Sequence, residues 1–269
     1  MSDGMNSALN LREVFHSPWL NLPMKQLNRK VMTMNKAREF YGKITEILAT
    51  IDDTQQDKMQ QAAVMMADQI AEDRIIYILG SGHSLMVGAE AYFRAGGLAP
   101  VDIIHDKTFG RAERCQGYAK ELIDWYEPPT GSLVIIISNS GRNALPIEMA
   151  LECKERGIKT IAITSMAHTQ SVTARHPSGK RLFEVADLVL DNCGVPGDAI
   201  MEVEGVPGKV TATSTIAGAF IMDAILTQTI QNLVDKGVTP PVFISMNLDG
   251  GDEHNKKIYA KYKKFIKGI

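Results

Sequence analysis

Cysteine is scarce, no sign of charge dominates, and no long apolar run occurs in this chain of 269 residues. The three cysteines, Cys115, Cys153 and Cys193, are dispersed, without C-x-x-C spacing or paired histidines. That pattern excludes a structural zinc and fits a reducing compartment. Lysine and arginine number 29 against 31 aspartates and glutamates, a formal charge of -2. With no basic excess to neutralise a phosphate backbone, nucleic acid is not an expected partner. No stretch approaches the roughly 20 uninterrupted apolar residues of a membrane span, and the N-terminus lacks the compact apolar core of a signal peptide. The expectation is a cytoplasmic protein with no membrane contact. What is present, 45% hydrophobic and 22% charged residues, suits one large α/β domain with or without a helical annex.

The chain is organised around residues 133–143, LVIIISNSGRN. Residues 133–137 are apolar without alternation, which predicts a strand buried on both faces, as in a parallel sheet flanked by helices. The loop at its C-terminal end then carries function. Ser138, Asn139, Ser140 and Asn143 offer donors, and Gly141 lets the backbone turn its amides inward. Asn143 is placed to cap the following helix, whose positive dipole end faces the loop. Such a loop binds anions, although serine and asparagine are also ordinary turn residues.

A second loop has the same design. Residues 74–79, RIIYIL, run into Gly80, Ser81, Gly82, His83 and Ser84, and a helix follows as far as Gly96 and Gly97. G-S-G-H-S-L satisfies only the first two glycines of the dinucleotide fingerprint, with Leu85 in the place of the third, and only Asp106 stands near the place of its acid. A dinucleotide cofactor is therefore not expected. Further strands are predicted at 101–104, 160–164 and 185–190, with helices at 115–126 and after 143. The series of βαβ units implies right-handed crossovers in a parallel sheet. With the flavodoxin-like order 2-1-3-4-5, the switch point falls between the first and third strands, where both serine-rich loops emerge.

Residues 1–34 are polar, punctuated by Pro18 and Pro23, and read as an extra arm, with a functional start near Met34. Deleting residues 1–33 is expected to cost little stability. Residues 35–73 read as a helical annex of two helices. Phe40, Ile44, Ile47, Leu48 and Ile51 share one face, Asp52 and Asp53 interrupt, and Asp53 with Gln56 resembles a capping box before Met59, Ala63, Met66 and Ile70. The acids through this segment argue against a DNA-reading helix pair. The core is expected at 74–237, with a C-terminal loop and helix at 238–269.

Residues 75–84, 134–143 and 160–164 resemble the sugar isomerase (SIS) domain. Its signature is a glycine-serine loop after strand one and S-x-S-G-x-[ST] after strand three. The resemblance covers about residues 35–237. It implies an α/β fold, a three-layer αβα sandwich around a five-stranded parallel flavodoxin-like sheet, with the N-terminal helical annex added. It also implies phosphosugar binding, with Ser81, Ser84, Ser138 and Ser140 on phosphate and Gly82, Asn139 and Asn143 beside them. Asn143 stands where many members have serine or threonine. The hydroxyl-rich start of the long helix, Thr213, Ser214 and Thr215, would face the sugar, or else simply cap that helix. The family includes phosphoheptose isomerase, the isomerase half of glucosamine-6-phosphate synthase, N-acetylmuramic acid 6-phosphate etherase and sugar-sensing regulators. The chain is more similar still to bacterial single-SIS proteins of undefined substrate, which share stretches like RAGGLAP (94–100) and GGDEHN (250–255). SIS domains generally pair through their helices, so a homodimer or larger is expected, with Met59, Met65 and Met66 available for contact.

The expected activity is a cofactor-free aldose–ketose isomerisation of a sugar phosphate. The alternatives are a non-catalytic sensor acting through a protein partner and a lyase or etherase on an amino-sugar phosphate. Isomerisation needs a carboxylate base and a histidine. His83 lies in the first loop. Glu90 lies two turns along the next helix, where its i,i+4 neighbour Arg94 offers an ion pair instead. Glu253 and His254 are read in a loop before a basic helix at 256–267; adjacent residues diverge on a helix but converge from a loop. A histidine brings potential positive charge to the positive end of a helix dipole, which favours a role for His254 in the sugar pocket, its own or a partner's. His105, His168 and His176 lie in or beside less ordered stretches and are not assigned. No histidine–carboxylate set has metal spacing.

Overall fold

The structure, a computed structural model, describes residues 35–267. The expected N-terminal arm, the start near Met34 and the deletion of 1–33 lie outside the described residues. The chain divides into two units between Gly42 and Lys43. In the first, Lys36 Nζ meets Glu39 Oε2 at 2.7 Å and the Arg38 guanidinium lies 5.4 Å from the Tyr41 ring centroid.

The second unit is built on five strands: β1 (Ile76–Gly80), β2 (Val101–His105), β3 (Leu133–Ile137), β4 (Lys159–Thr164) and β5 (Leu188–Asp191). All pair in parallel in the order β2-β1-β3-β4-β5, the flavodoxin-like order that the βαβ series predicts. β1 and β3 are buried along their whole length, as unalternating apolar runs require. One face carries Tyr77, Leu79, Val134 and Ile136 into a core with α3 (Tyr118–Tyr126), α4 (Ala144–Glu155) and α7 (Gly251–Tyr262). The other face takes Ile78 against Gly88 of α2 (Ser84–Glu90), and Gly218 of α6 (Ser214–Asp235) lets that helix close on Val87. Helices on both faces make the three-layer αβα sandwich. No helix among the described residues is long and apolar enough to cross a membrane.

Several elements differ from the sequence reading. The annex is one 37-residue helix, α1 (Asn35–Ala71), not two. Asp52 and Asp53 sit on its exposed side, where an acid in a helix interior costs less than about 0.7 kcal/mol. Gln56 bonds back to Asp52, and Gln55 on the buried side accepts from the Asp191 amide at 3.1 Å, so no capping box forms. α2 stops at Glu90, well before Gly96 and Gly97. A hairpin of β6 (Ala199–Met201) and β7 (Val210–Ala212), unforeseen in the sequence, precedes α6. α7 starts five residues early: Gly250 adopts φ 79°, and Asp252 and Glu253 fall in the first turn, where the dipole favours acids. Val242 bridges Leu98, and the Phe243 amide donates to the Gly97 carbonyl at 2.9 Å. A short helix, α5 (Met166–Gln170), follows β4.

What positions the functional edge is Asp106, 1% exposed, at the end of β2. Its Oδ2 accepts from Ser81 Oγ and the Gly110 amide, both at 2.7 Å. Its Oδ1 accepts from Thr108 Oγ1 at 2.6 Å, the Thr108 amide at 3.0 Å and the Tyr118 hydroxyl at 3.1 Å. Burial opposes its charge, but the hydrogen bonds from Thr108, Ser81 and the Gly110 amide outweigh it and hold the carboxyl below its ordinary value. Asp106→Asn turns one acceptor oxygen into a donor facing fixed donors, and should cost about 3 kcal/mol and lower the melting temperature by about 5–10 °C. A carboxyl depressed in the folded state stabilises above its unfolded value, and loses that contribution as pH falls through the folded one. The gap between wild type and variant, read from denaturant midpoints, should therefore be full at neutral pH and narrow only in acid. Equal midpoints at pH 7 would contradict this role.

Candidate functional site

Gly80 pairs with His105 on one side and Ile137 on the other, so the loops after β1, β2 and β3 leave the sheet level with one another. Between them lies a cavity of about 230 Å³ lined by Ser81, Ser84, Ser138, Asn139, Ser140 and Asn143. Gly141 shapes the β3 loop. It has φ 55°, and a Cβ there would lie 3.1 Å from Thr169 Oγ1 and 3.3 Å from Leu182 Cβ. Its amide donates to Ser138 Oγ at 3.2 Å, and the Ser165 amide donates to the Asn139 carbonyl at 3.1 Å, stapling the loop to the end of β4.

The loop residues divide by what their polar atoms already do. Ser84 and Ser140 have hydroxyls with no protein partner among the described residues, while the Ser81 proton is held by Asp106. Asn139 accepts from Asn192 Nδ2 at 2.9 Å, which leaves its own amide hydrogens available. Asn143 has the backbone of a cap but makes no side-chain cap bond. It bridges instead: Nδ2 donates to Glu113 Oε1 at 2.7 Å, and Oδ1 accepts from Arg175 Nη1 at 3.0 Å. Gly82, at φ 56°, is outside the cavity wall and packs against Gly110. Ser84, Ile137 and Asn139 also line an adjoining crevice that contains Ser214 and Thr215. Thr213 is buried, and its hydroxyl is 3.2 Å from Asp198 Oδ1, while the Ser214 hydroxyl donates to Asp198 Oδ2 at 2.6 Å. Capping of α6 is thus supplied from outside the helix, by Asp198, and occupies two of the three hydroxyls.

The four residues expected to move protons do not gather here. His83 is exposed, its ring centroid 5.8 Å from that of Phe109. Glu90 pairs with Arg94 in a separate crevice with Asp223 and Thr227. Glu253 and His254 are exposed in the first turn of α7 rather than in a loop, so they diverge. His254 Nε2 lies 3.0 Å from the Val242 carbonyl, and Val242 bridges Leu98, ahead of β2. That is the N-terminal edge of the sheet, one strand length, about 16 Å, from the serine loops of the same chain.

Two other residues line the cavity in their place, Glu113 and His168. Glu113 lies in the connection between β2 and α3, where its carbonyl accepts from the Leu145 amide at 3.0 Å and fixes it beside the start of α4. Burial pushes its carboxyl up, against the pull of Arg114 and Arg175. His168 lies on α5. Burial, reinforced by Arg142, pushes its imidazole down, and its Nδ1 is buried with no partner among the described residues. An imidazole that burial pushes down and a carboxyl that burial pushes up, on the walls of one cavity, are the kind of pair proton transfer uses. Nothing in the local sequence marks Glu113, which stands in a polar connection. A helix of five residues gives too little period to bring His168 forward.

No group of three or more metal-ligating side chains occurs among the described residues. The SIS-domain profile matches residues 39–165. UPF0309 protein TTE0306 of Caldanaerobacter subterraneus subsp. tengcongensis is 39% identical over 243 residues, 86% of this chain and 97% of that protein. UPF0309 protein OB3413 of Oceanobacillus iheyensis is 37% identical over 240 residues, 86% of this chain and 98% of that protein. Among solved structures, phosphoheptose isomerase GmhA from Neisseria gonorrhoeae shares the fold at a TM-score of 0.52 and 17% identity, covering 74% of this chain and 99% of that one. A phosphoheptose isomerase from Francisella tularensis gives 0.52 and 15%, covering 74% of this chain and 98% of that one. The chain belongs to the SIS-domain proteins, in the single-domain UPF0309 family.

Proposed function

We propose that the protein binds a sugar phosphate in the cavity between the β1 and β3 loops and isomerises it between aldose and ketose without a cofactor. One observation carries this reading: Glu113 and His168 share a cavity with the unpartnered hydroxyls of Ser84 and Ser140. The phosphate sits on Ser84, Ser138, Asn139 and Ser140 at the positive end of α4. The sugar extends along the crevice toward Thr215. Glu113 takes the proton from the carbon next to the carbonyl and returns it to the neighbouring carbon. His168 moves a proton between the two oxygens. This reading replaces Glu90, Glu253 and His83 as the acid–base groups. A role for His254 is left only across a subunit boundary.

Ser140→Ala should remove a charge-assisted hydrogen bond worth about 1.5–3 kcal/mol, weakening binding of the converted sugar phosphate by about 10- to 100-fold with the fold intact. Calorimetry reads it, and unchanged affinity would remove the phosphate from this loop.

Glu113→Gln should lower turnover by about 10²- to 10⁴-fold and leave affinity within a few fold. The base acts deprotonated, so activity rises with pH through its pKa. Burial raises that value, placing the acid limb of the wild-type profile above the ordinary glutamate range. A screen of sugar phosphates by thermal shift, then by NMR for conversion, supplies the substrate. Binding with no conversion of any ligand would favour the sensor.

A homodimer or larger assembly is the expected state, since SIS domains generally pair through their helices. Light scattering at micromolar concentration checks it; a monomer there would contradict the expectation and would also end any role for His254.

A further inference from the structure

The arginines of the molecule are satisfied unevenly. Arg74, Arg94, Arg156 and Arg181 each pair with an acid. Beside the cavity, Arg114, Arg142 and Arg175 form no ion pair among the described residues. Two of them are tied to neutral oxygens. Arg142, two residues after Ser140, donates through Nε to the Thr173 carbonyl at 2.9 Å. The Arg175 amide donates to the Arg142 carbonyl at 2.8 Å, and Arg175 Nη1 to Asn143 Oδ1 at 3.0 Å. Arg114 follows Glu113 directly. Arg175 is in electrostatic contact with both Arg114 and Arg142, and Glu113 is the one carboxylate acting on it.

Three guanidinium groups gathered beside one another, two of them on neutral acceptors, repel, and one carboxylate offsets only part of that repulsion. The arrangement contributes little to folding, because surface charges gain stability from opposite partners and these have almost none. It suits an anion, which the planar fork of arginine takes with two parallel hydrogen bonds. A single phosphate is already provided for by the β3 loop, its free hydroxyl and the start of α4. Resting on the phosphosugar reading of the cavity, we propose that Arg114, Arg142 and Arg175 form a second anion subsite, and that the ligand is a sugar phosphate bearing a further carboxylate or phosphoryl group.

The test compares three probes by calorimetry: glucose 6-phosphate, 6-phosphogluconate and fructose 1,6-bisphosphate. The wild type should bind at least one of the two doubly anionic probes about tenfold or more tighter than glucose 6-phosphate. Tighter binding of 6-phosphogluconate identifies a carboxylate subsite, and of fructose 1,6-bisphosphate a phosphoryl one. The double variant R142A/R175A should lose that preference while glucose 6-phosphate affinity stays within about threefold. Ser140→Ala should weaken all three alike. The double variant loses two hydrogen bonds as well as the repulsion, so it should still unfold in one cooperative transition well above the assay temperature, and that melt separates loss of the subsite from loss of the fold. Equal affinities in the wild type would overturn the proposal. So would a double variant that weakens all three probes equally, which would put the arginines on the first phosphate. If none of the three binds, the phosphosugar reading itself falls and the subsite with it.

Discussion

Five donors converge on the buried carboxylate of Asp106, and the functional edge of the molecule depends on that convergence. The donors come from the loop after β1, the loop after β2 and the first residue of α3. Two glycines make the approach possible: a Cβ on Gly110, at φ 88°, would lie 3.2 Å from Gly82 Cα. With the loops locked back to back, the chain from 106 to 117 has a fixed course, and Glu113 is delivered to the cavity. The same lock removes Ser81 from the free donors, because its single proton is already directed at Asp106. In the proposed reading, anion binding then falls to Ser84 and the β3 loop.

The sheet decides where these loops meet. In a parallel sheet every strand presents its C-terminal end at one edge, and the order β2-β1-β3 sends the crossovers after β1 and β3 to opposite faces. A crevice opens between the helices that follow, which are α2 and α4. Gly80 and Ile137 are register partners, so neither loop stands proud of the other. A cavity can therefore be walled by short side chains from both, and Gly141, whose missing side chain would meet Thr169 and Leu182, lets the β3 loop pack close against the chain behind it.

Much of this is legible in the sequence because it is local. Uninterrupted apolar runs at 76–79 and 133–137 announce doubly buried strands, and the small-residue loops follow them directly. What is not legible depends on distance or on exposure. Asp52 and Asp53 resemble a helix break, since a sequence does not say that both point to solvent. The GGDEHN stretch resembles a loop, although the acids after its glycines are what the start of a helix favours. Glu113 escapes sequence reading for a different reason. It belongs to no local motif: its meaning comes from Asn143, 30 positions along the chain, whose amide meets its carboxylate only once β2 and β3 are placed about β1.

The cavity also gathers groups that folding alone would avoid. The His168 Nδ1 and the neighbouring Thr169 Oγ1 are buried without partners among the described residues, and an unmade buried hydrogen bond costs about 1–3 kcal/mol. Glu113 carries a carboxyl that burial disfavours in its charged form, and Arg175 beside it faces the like charges of Arg114 and Arg142. Each of these would be mended by a single ordinary substitution, to an apolar residue or a neutral amide. Buried atoms without partners occur elsewhere too, at Gln69 Oε1, the Tyr92 hydroxyl and Asn232 Nδ2, so the nearness of these conflicts to the serine loop, not their number, sets the cavity apart. Unmade hydrogen bonds, a disfavoured charge and facing cations beside one cavity are what a site for a polar ligand is expected to carry, because the ligand supplies the missing partners.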